Sequence, residues 1–284
     1  MKIFKLSKKS PRIMVFQGSP RYHLNCPSQD SKTQYIVEYA TKIDGIEFDI
    51  CDLSLRKDKP IIQPCKGCQS TSNGYHCHWP CDCYMKNDRK TPDLIYDENI
   101  YDRIQKADGF VVFSPIHWYS VSSQIKALFD RLVCANLTIT HEQAVKLKCI
   151  KKDIECTDSN IKNNELTEYL ERSGKYDKLL KNHLEGKYAA FFVHGDDGAL
   201  DYNGKELPKS MENMKENTEP KLSIIPIVQQ CRYSGIFVPE DLIIAKYMNK
   251  GISYSEANVV YKDNKEVLES AKNLVKRLAQ YIKG

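Results

Sequence analysis

Short apolar runs separated by helical patterns alternate along this chain. Continuous apolar stretches at 12–17, 110–113 and 187–194 are typical of strands that are covered on both faces of a parallel sheet. A less regular stretch at 46–53 is rich in β-branched and aromatic residues, and the run GIFVP at 235–239 is a fifth candidate. The pattern therefore predicts five strands.

Between these strands, apolar residues recur at the spacing of one helical face. The predicted helices run from 32 to 45, from 92 or 97 to 106, from 121 to 132, from 211 to 233 with interruptions at Pro220 and Pro226, and from 263 to 283. Strands that alternate with helices predict an α/β fold with a doubly wound parallel sheet. In such sheets ligands bind beyond the carboxyl ends of the strands.

Two segments depart from this alternation, and we predict a single domain over 1–284 with insertions at about 58–92 and 135–187. The first insertion is rich in cysteine. The second has balanced charge and leucines at helical spacing, which predicts a helical excursion. We expect it to be a solvated cap, while a lid over a cofactor or a dimer contact stays open.

Composition narrows the possible functions further. The net charge of +5 arises from 42 basic and 37 acidic residues that are scattered along the chain, so we expect no nucleic-acid partner. No apolar run approaches the length of a membrane span, and we expect a cytoplasmic protein with no membrane partner. Eleven cysteines in such a chain favour metal or redox chemistry over disulfides.

The turn after the first strand is a candidate phosphate site. Gly18-Ser19-Pro20-Arg21 closes the strand, and the next helix begins near Ser31. A helix N-terminus offers free backbone N–H groups to an anion, and hydroxyls and cations add to them. A plain turn would explain the tetrapeptide alone equally well. The candidate phosphate ligands are Ser19, Arg21, Ser28, Ser31, Lys32 and Thr33.

A second candidate loop, 114–120, follows the strand at 110–113, where a planar cofactor would be expected. The sequence here, SPIHWYSVSSQIKALFDR, resembles the flavin-binding segment of the NAD(P)H-dependent FMN reductase family, which has a flavodoxin-like fold. His117 stands where relatives more often carry Tyr. The resemblance implies that this loop lines the ribityl chain and ring edge of the flavin through Ser114, Pro115, Ile116, His117, Trp118 and Tyr119.

The same resemblance, strongest over about 13–132, implies strand order 2-1-3-4-5. It also places the FMN monophosphate at the Gly-Ser-Pro-Arg turn and a third binding segment at His194, Gly195 and Asp196. FMN is expected rather than FAD because the chain has no GxGxxG pyrophosphate motif. The flavin would carry the chemistry, so no catalytic side chain is predicted.

The implied activity is hydride transfer from NADH or NADPH through FMN to a quinone, nitro compound, free flavin or similar acceptor, in a homodimer or homotetramer. Two alternatives stay open. One is an iron-sulfur flavoprotein that carries electrons for a protein partner, and the other is a non-enzymatic metal-binding protein that keeps the fold.

The cysteine-rich insertion is a candidate metal site. Its ligands would come from Cys65, Cys68, Cys77, Cys81 and Cys83, with His76 and His78 as possible nitrogen donors. The Pro-Cys-x-Gly-Cys start is similar to the iron-sulfur flavoprotein branch of the family, although Thr71 takes the place of that branch's third cysteine. An iron-sulfur cluster, zinc or no metal at all are the alternatives.

Overall fold

A computed structural model describes residues 10–25, 28, 30–68, 77–84, 91–146, 178–195, 220–247 and 261–284. Five long strands of this part form one parallel sheet in the order β2-β1-β4-β7-β8, which confirms the predicted 2-1-3-4-5 order of a flavodoxin-like fold. These strands are β1 (Arg12–Gln17), β2 (Glu47–Asp52), β4 (Gly109–His117), β7 (Tyr188–Gly195) and β8 (Ile243–Tyr247).

Three two-residue strands accompany the sheet. β5 (Ser120–Val121) pairs antiparallel with the end of β4, so the sheet has a sixth, antiparallel member that the sequence did not predict. β3 (His78–Trp79) and β6 (Ile139–Thr140) pair with each other in a separate parallel ladder. That ladder joins the two predicted insertions.

The helices of the described residues are α1 (Lys32–Ala40), α2 (Leu94–Asp97), α3 (Ile100–Lys106), α4 (Ser123–Arg131), α5 (His141–Lys146), α6 (Ile225–Tyr233) and α7 (Lys265–Lys283). One helix was predicted up to residue 106, but two are present because Asn99 adopts a left-handed conformation with φ 49° between α2 and α3. No helix in the described ranges is both long and apolar enough to cross a membrane.

Side chains of the sheet alternate between two apolar layers. In β1, Ile13 and Val15 pack with α1 and α7, whereas Met14 and Phe16 pack with α3, α4 and α6. Burial on both faces explains why the strands are continuously apolar in sequence. The cysteine-rich insertion is not a simple surface loop, because Trp79 and its neighbours belong to the second of these layers.

The predicted fifth strand at 235–239 is wrong. Gly235 has φ 74°, and the backbone of Phe237 makes only an isolated bridge to the start of β7. Pro239 has no N–H to continue a ladder, and a 3-10 helix at Glu240–Leu242 then redirects the chain. The fifth strand is β8, which supplies the apolar and β-branched pair Ile243 and Ile244.

The end of β4 also differs from the prediction. Ser114 and Pro115 were expected to end the strand, but β4 continues to His117. Its ladder with β1 ends at Phe113, whereas its ladder with β7 runs on to Pro115. Past Phe113 the β1 side of β4 is therefore an edge, where proline is tolerated. The leucines that predicted a helical second insertion partly lie outside the described residues.

Candidate functional site

The turn after β1 packs tightly against α4. The N–H of Gly18 donates to the carbonyl of Phe113 at 2.8 Å, and the Ser122 hydroxyl donates to the Gly18 carbonyl. A Cβ at Gly18 would lie 2.4 Å from Cγ1 of Ile125. Only glycine fits this close approach, which holds the candidate phosphate turn beside the start of α4.

The start of α1 forms the rest of this cradle. Ser31 is the N-cap, and its hydroxyl accepts a hydrogen bond from the N–H of Gln34 at 2.9 Å. Ser19 is buried and its hydroxyl accepts from the N–H of Arg21 at 3.3 Å. Arg21 and Lys32 are half-buried, so they add positive charge to the helix N-terminus. Ser31 thus serves the helix directly rather than a ligand.

His194 joins the cradle from the end of β7. Its Nε2 lies 2.8 Å from the hydroxyl of Thr33, and both residues are buried. Burial, with smaller effects of the nearby positive charges of Lys32 and His117, lowers the pKa of His194 to about 3. The ring is therefore neutral at physiological pH, and it carries one donor and one acceptor nitrogen.

A hairpin turn carries the two exposed aromatic side chains of the site. Ile116 pairs with Val121 and His117 with Ser120, which leaves Trp118 and Tyr119 as the two residues of the turn. Their φ values are 49° and 66°, as in a type I′ turn, where Asn-Gly is usual. Trp118 is 92% exposed and Tyr119 is 54% exposed.

Backbone strain at this turn is uncommon for bulky residues. A non-glycine residue in the left-handed region costs about 1 kcal/mol or more, and such residues persist where the surroundings impose them. The side chains also hide little apolar surface from water. Packing alone therefore does not explain two aromatics here, and this favours a role in holding a flat ligand.

Ser114 has a different role from the predicted one. It is fully buried, its hydroxyl donates to the carbonyl of Pro115 at 2.8 Å, and the same oxygen accepts from the N–H of Ser122 at 3.1 Å. Both contacts fix the hairpin to the start of α4. We conclude that Ser114 shapes the predicted loop from within rather than lining it.

The three predicted segments meet at the carboxyl edge of the sheet. The charge of Arg21 and partial desolvation both lower the pKa of His117, with desolvation the larger cause. His117 in turn acts on His194, which contacts Thr33. Gly195 faces Ile116, since a Cβ added to it would lie 3.2 Å from the Ile116 Cβ. Ser28 is exposed with φ 64°, and Asp196 lies outside the described residues.

A second cluster of functional groups lies in the cysteine-rich insertion. The sulfur atoms of Cys68 and Cys83 are 3.4 Å apart. Cys81 interacts with both Cys83 and Cys134, and Cys65 is close enough for the charge of Cys81 to raise its pKa, although burial is the larger cause. His76 lies outside the described residues, and Nε2 of His78 faces Asp82 and His141 instead of this thiol cluster.

Cys134 is a member of the thiol cluster that sequence analysis missed. Burial and a hydrogen bond with Cys81 raise the pKa of Cys134, and Cys77 contributes to the same effect. Cys134 follows α4, fifty-one residues beyond Cys83 in the chain. Its position on the buried side of a 3-10 helix, Leu132–Ala135, was the only available sequence signal, and that signal is typical of ordinary core residues.

Arg131 supplies a buried positive charge beside these thiols. It is 1% exposed, its Nη1 lies 2.7 Å from Oδ2 of the fully buried Asp93, and its Nη2 lies 4.0 Å from the Cys81 sulfur. The guanidinium also packs over the ring of Tyr84 at 4.9 Å. Hydrogen bonds from Cys134 and Cys83, and then this charge, lower the pKa of Cys81 well below its ordinary value.

The donor set of the thiol cluster suits a soft metal centre. Thiolates bind zinc and iron-sulfur clusters, and a lowered thiol pKa favours both because the bound form is deprotonated. The cradle at the carboxyl edge likewise suits a phosphate and a flat ring. Both predicted cofactors are therefore compatible with the residues present.

Comparison with known proteins agrees with this geometry. Residues 11–149 match the model of the NADPH-dependent FMN reductase family. This part of the chain belongs to that family. The match covers just under half of the chain and includes the turn after β1, the thiol cluster up to Cys134, and the aromatic hairpin.

Two curated relatives are also similar to this chain. An iron-sulfur flavoprotein of Methanosarcina thermophila is 29% identical over 122 residues, which are 43% of this chain and 52% of that protein. An iron-sulfur flavoprotein of Methanocaldococcus jannaschii is 27% identical over 123 residues, 42% of this chain and 51% of that protein. The match thus spans about half the length of each relative.

Among solved structures, an NAD(P)H:quinone oxidoreductase from Methanothermobacter marburgensis is similar with a TM-score of 0.47 and 11% identity. The alignment covers 93% of this chain and 97% of that one.

Proposed function

We propose that this chain is an FMN-dependent oxidoreductase that takes a hydride from NADH or NADPH and passes the reducing equivalents to a small-molecule acceptor. A quinone, a nitro compound or a free flavin would be such an acceptor. The observation that carries the proposal is the convergence of the turn after β1, the aromatic hairpin and His194 at one edge of the sheet. The family match over 11–149 supports it.

The residues at this edge divide the work of binding. The N-terminus of α1, with Arg21 and Lys32, would hold the FMN phosphate. Gly18 and Gly195 leave room for close approach, and Trp118 with Tyr119 would shape the open face that nicotinamide and acceptor use in turn. Bound FMN would supply the hydride chemistry itself. Because His194 is neutral and buried, it would orient groups by hydrogen bonding rather than act as an acid.

An FMN titration tests this assignment. An Arg21→Ala, Lys32→Ala double variant removes two cations beside the start of α1, and each lost charge-assisted contact costs about 1.5 to 3 kcal/mol. We expect FMN affinity to fall at least tenfold to a hundredfold. Lys42→Ala is the matched control, because this exposed cation follows the opposite end of α1.

The outcome is measured by flavin fluorescence together with NADH and NADPH oxidation in the presence of a quinone. Equal FMN affinity in the double variant and the control would contradict the phosphate assignment. A protein that binds FMN but oxidises neither nicotinamide would contradict the reductase activity while leaving FMN binding intact.

A second function is favoured by the thiol cluster. We propose that Cys65, Cys68, Cys77, Cys81, Cys83 and Cys134 provide the ligands of an iron-sulfur cluster, which would allow the chain to carry electrons to a protein partner. The buried charge of Arg131 beside Cys81 supports this proposal, because it stabilises a thiolate that a core cysteine would not otherwise form. Two curated relatives named as iron-sulfur flavoproteins support it as well.

Metal analysis after anaerobic purification tests the cluster. Iron with acid-labile sulfide is expected in the wild type and should be lost in Cys81→Ser. Cys231→Ser is the control, since Cys231 is a buried thiol on α6 whose pKa burial raises. Zinc bound to the same cysteines would replace the cluster by a structural site, and full retention of metal in Cys81→Ser would contradict both.

A homodimer or homotetramer is our proposal for the assembly. The exposed Trp118 and Tyr119 favour it, because a partner would shield aromatic surface that this chain leaves open. Light scattering of the FMN-loaded protein tests it, and a monomer at micromolar concentration would contradict it.

A further inference from the structure

A compact group of three side chains lies apart from the cofactor cradle. Nε2 of His78 is 3.0 Å from Oδ1 of Asp82 and 3.1 Å from Nδ1 of His141, and that Nδ1 is 3.4 Å from Oδ2 of Asp82. One possible ligand atom from each residue therefore converges on a single point. We propose that His78, Asp82 and His141 bind a divalent transition-metal ion, with Zn²⁺ as the expected ion.

The β3–β6 ladder places these residues. His78 pairs with Ile139 and Trp79 pairs with Thr140, so the residue that follows β6, His141, comes beside His78. The chain then returns after Trp79 and brings Asp82 to the same side. The site would tie the cysteine-rich insertion to the start of α5, two segments that are about sixty residues apart in sequence.

The spacing of the three donors fits a metal better than hydrogen bonds alone. With zinc bonds of about 2.0 to 2.2 Å, tetrahedral geometry separates neighbouring donors by roughly 3.3 to 3.6 Å, close to the values observed here. Hydrogen bonding leaves Oδ1 of Asp82 buried without a partner of good geometry, although Nε2 of His78 is near it. A buried unsatisfied carboxylate oxygen is costly, and a cation would satisfy it.

Burial and chemistry also favour this assignment. The His78 side chain is 1% exposed, whereas those of Asp82 and His141 are 25% and 39% exposed, so one side of the group remains open to water or a further ligand. Two imidazoles and one carboxylate are typical zinc ligands, and three protein ligands with an open position are typical of sites that bind water or substrate.

This group is separate from the thiol cluster. Asp82 stands between Cys81 and Cys83 in sequence, but its carboxylate faces the two histidines while both sulfurs take part in the thiol cluster. A nitrogen and oxygen donor set would also select a different metal environment from thiolates. The segment 81–83 would then contribute to two centres, one on each side of the backbone.

Metal analysis of the full chain, expressed with added zinc, tests the proposal. The wild type is expected to hold one zinc per chain more than Asp82→Asn or His141→Ala, and zinc titrated into chelator-treated protein should bind these variants more than about 100-fold more weakly. His23→Ala is the matched control, because His23 is an exposed histidine beside Asp30 that should leave zinc content unchanged.

Two further results decide the matter. X-ray absorption at the zinc edge should show nitrogen and oxygen neighbours that disappear in Asp82→Asn, a conservative change that keeps side-chain size. Equal zinc content in the wild type, Asp82→Asn and His141→Ala would overturn the proposal. So would zinc that is bound by sulfur alone, because that signal would belong to the thiol cluster. Circular dichroism of each variant confirms that it is folded when it is compared.

Discussion

The hydroxyl of Thr33 and Nε2 of His194 lie 2.8 Å apart, and this hydrogen bond joins the first turn of α1 to the end of β7. The two residues are 161 positions apart in the chain. Their contact closes the cradle at the carboxyl edge of the sheet, because β4 and the turn after β1 lie between these elements. A neutral His194 is part of this arrangement.

The protonation of His194 gives a pH-dependent stability. An unfolded histidine takes up a proton near pH 6.5, but the folded-state pKa of His194 is about 3. The unfolded state binds more protons in this window, so stability should fall as pH drops from about 6.5 towards 3, by at most about 1.4 kcal/mol per pH unit. Urea denaturation at several pH values measures it, and His194→Gln should flatten the slope while His23→Gln keeps it.

Replacing Gly18 by alanine should damage both the fold and the cradle. The added methyl group would lie 2.4 Å from Ile125 and 2.8 Å from the Phe113 carbonyl, and overpacking of this kind costs about 1 to 3 kcal/mol. FMN affinity should fall as the turn moves. Gly45→Ala is the control, since its φ of 77° makes alanine strained without any close neighbour. Equal FMN affinity in the two variants would contradict this role for Gly18.

The aromatic hairpin should trade stability for activity. A Trp118→Asn, Tyr119→Gly variant restores the usual type I′ residues and should raise the free energy of unfolding by about 1 to 2 kcal/mol. If the aromatics shape the open face, kcat/KM for the nicotinamide should fall in the same variant. Thermal denaturation and steady-state kinetics measure the two effects. A more stable variant with unchanged kcat/KM would limit these side chains to packing.

The Arg131–Asp93 pair separates folding from metal binding. Arg131→Met alone leaves a buried, unpaired carboxylate and should cost about 3 to 5 kcal/mol. Adding Asp93→Asn removes both charges and should recover most of that loss, since Asn still caps α2. The double variant should nevertheless hold less metal, because Cys81 loses its positive neighbour. Unchanged metal content in a stable double variant would show that Arg131 is only structural.

Local patterns predicted most of the sheet because it depends on local information. β1 was predicted at its observed bounds, since an apolar run between polar residues marks a strand that is buried on both faces. The order of the strands followed from the family resemblance. The fifth strand was misplaced because GIFVP looks more apolar than IIAKY, and only tertiary pairing distinguishes an isolated bridge from a ladder.

The candidate site was predicted in part for the same reason. Residues next to strand ends, such as Arg21 and His117, were found because the fold brings those ends together. The neutral state of His194 depends on burial, which no local pattern reports. Cys134 and His141 were missed because their partners lie more than fifty residues earlier in the chain. Such contacts require the three-dimensional structure.

Helix α4 fixes the length of the path between the two cofactor sites. Ser122 at its N-cap bonds to the turn after β1, and Arg131 at its last residue faces the thiol cluster. Nine residues of helix span about 13 Å and rotate by about 100° each. Inserting or deleting a single residue within α4 would turn Arg131 away from Asp93 while leaving the cradle in place. Evolution can therefore vary the loops at either end of this helix, but its residue count is constrained by both sites at once.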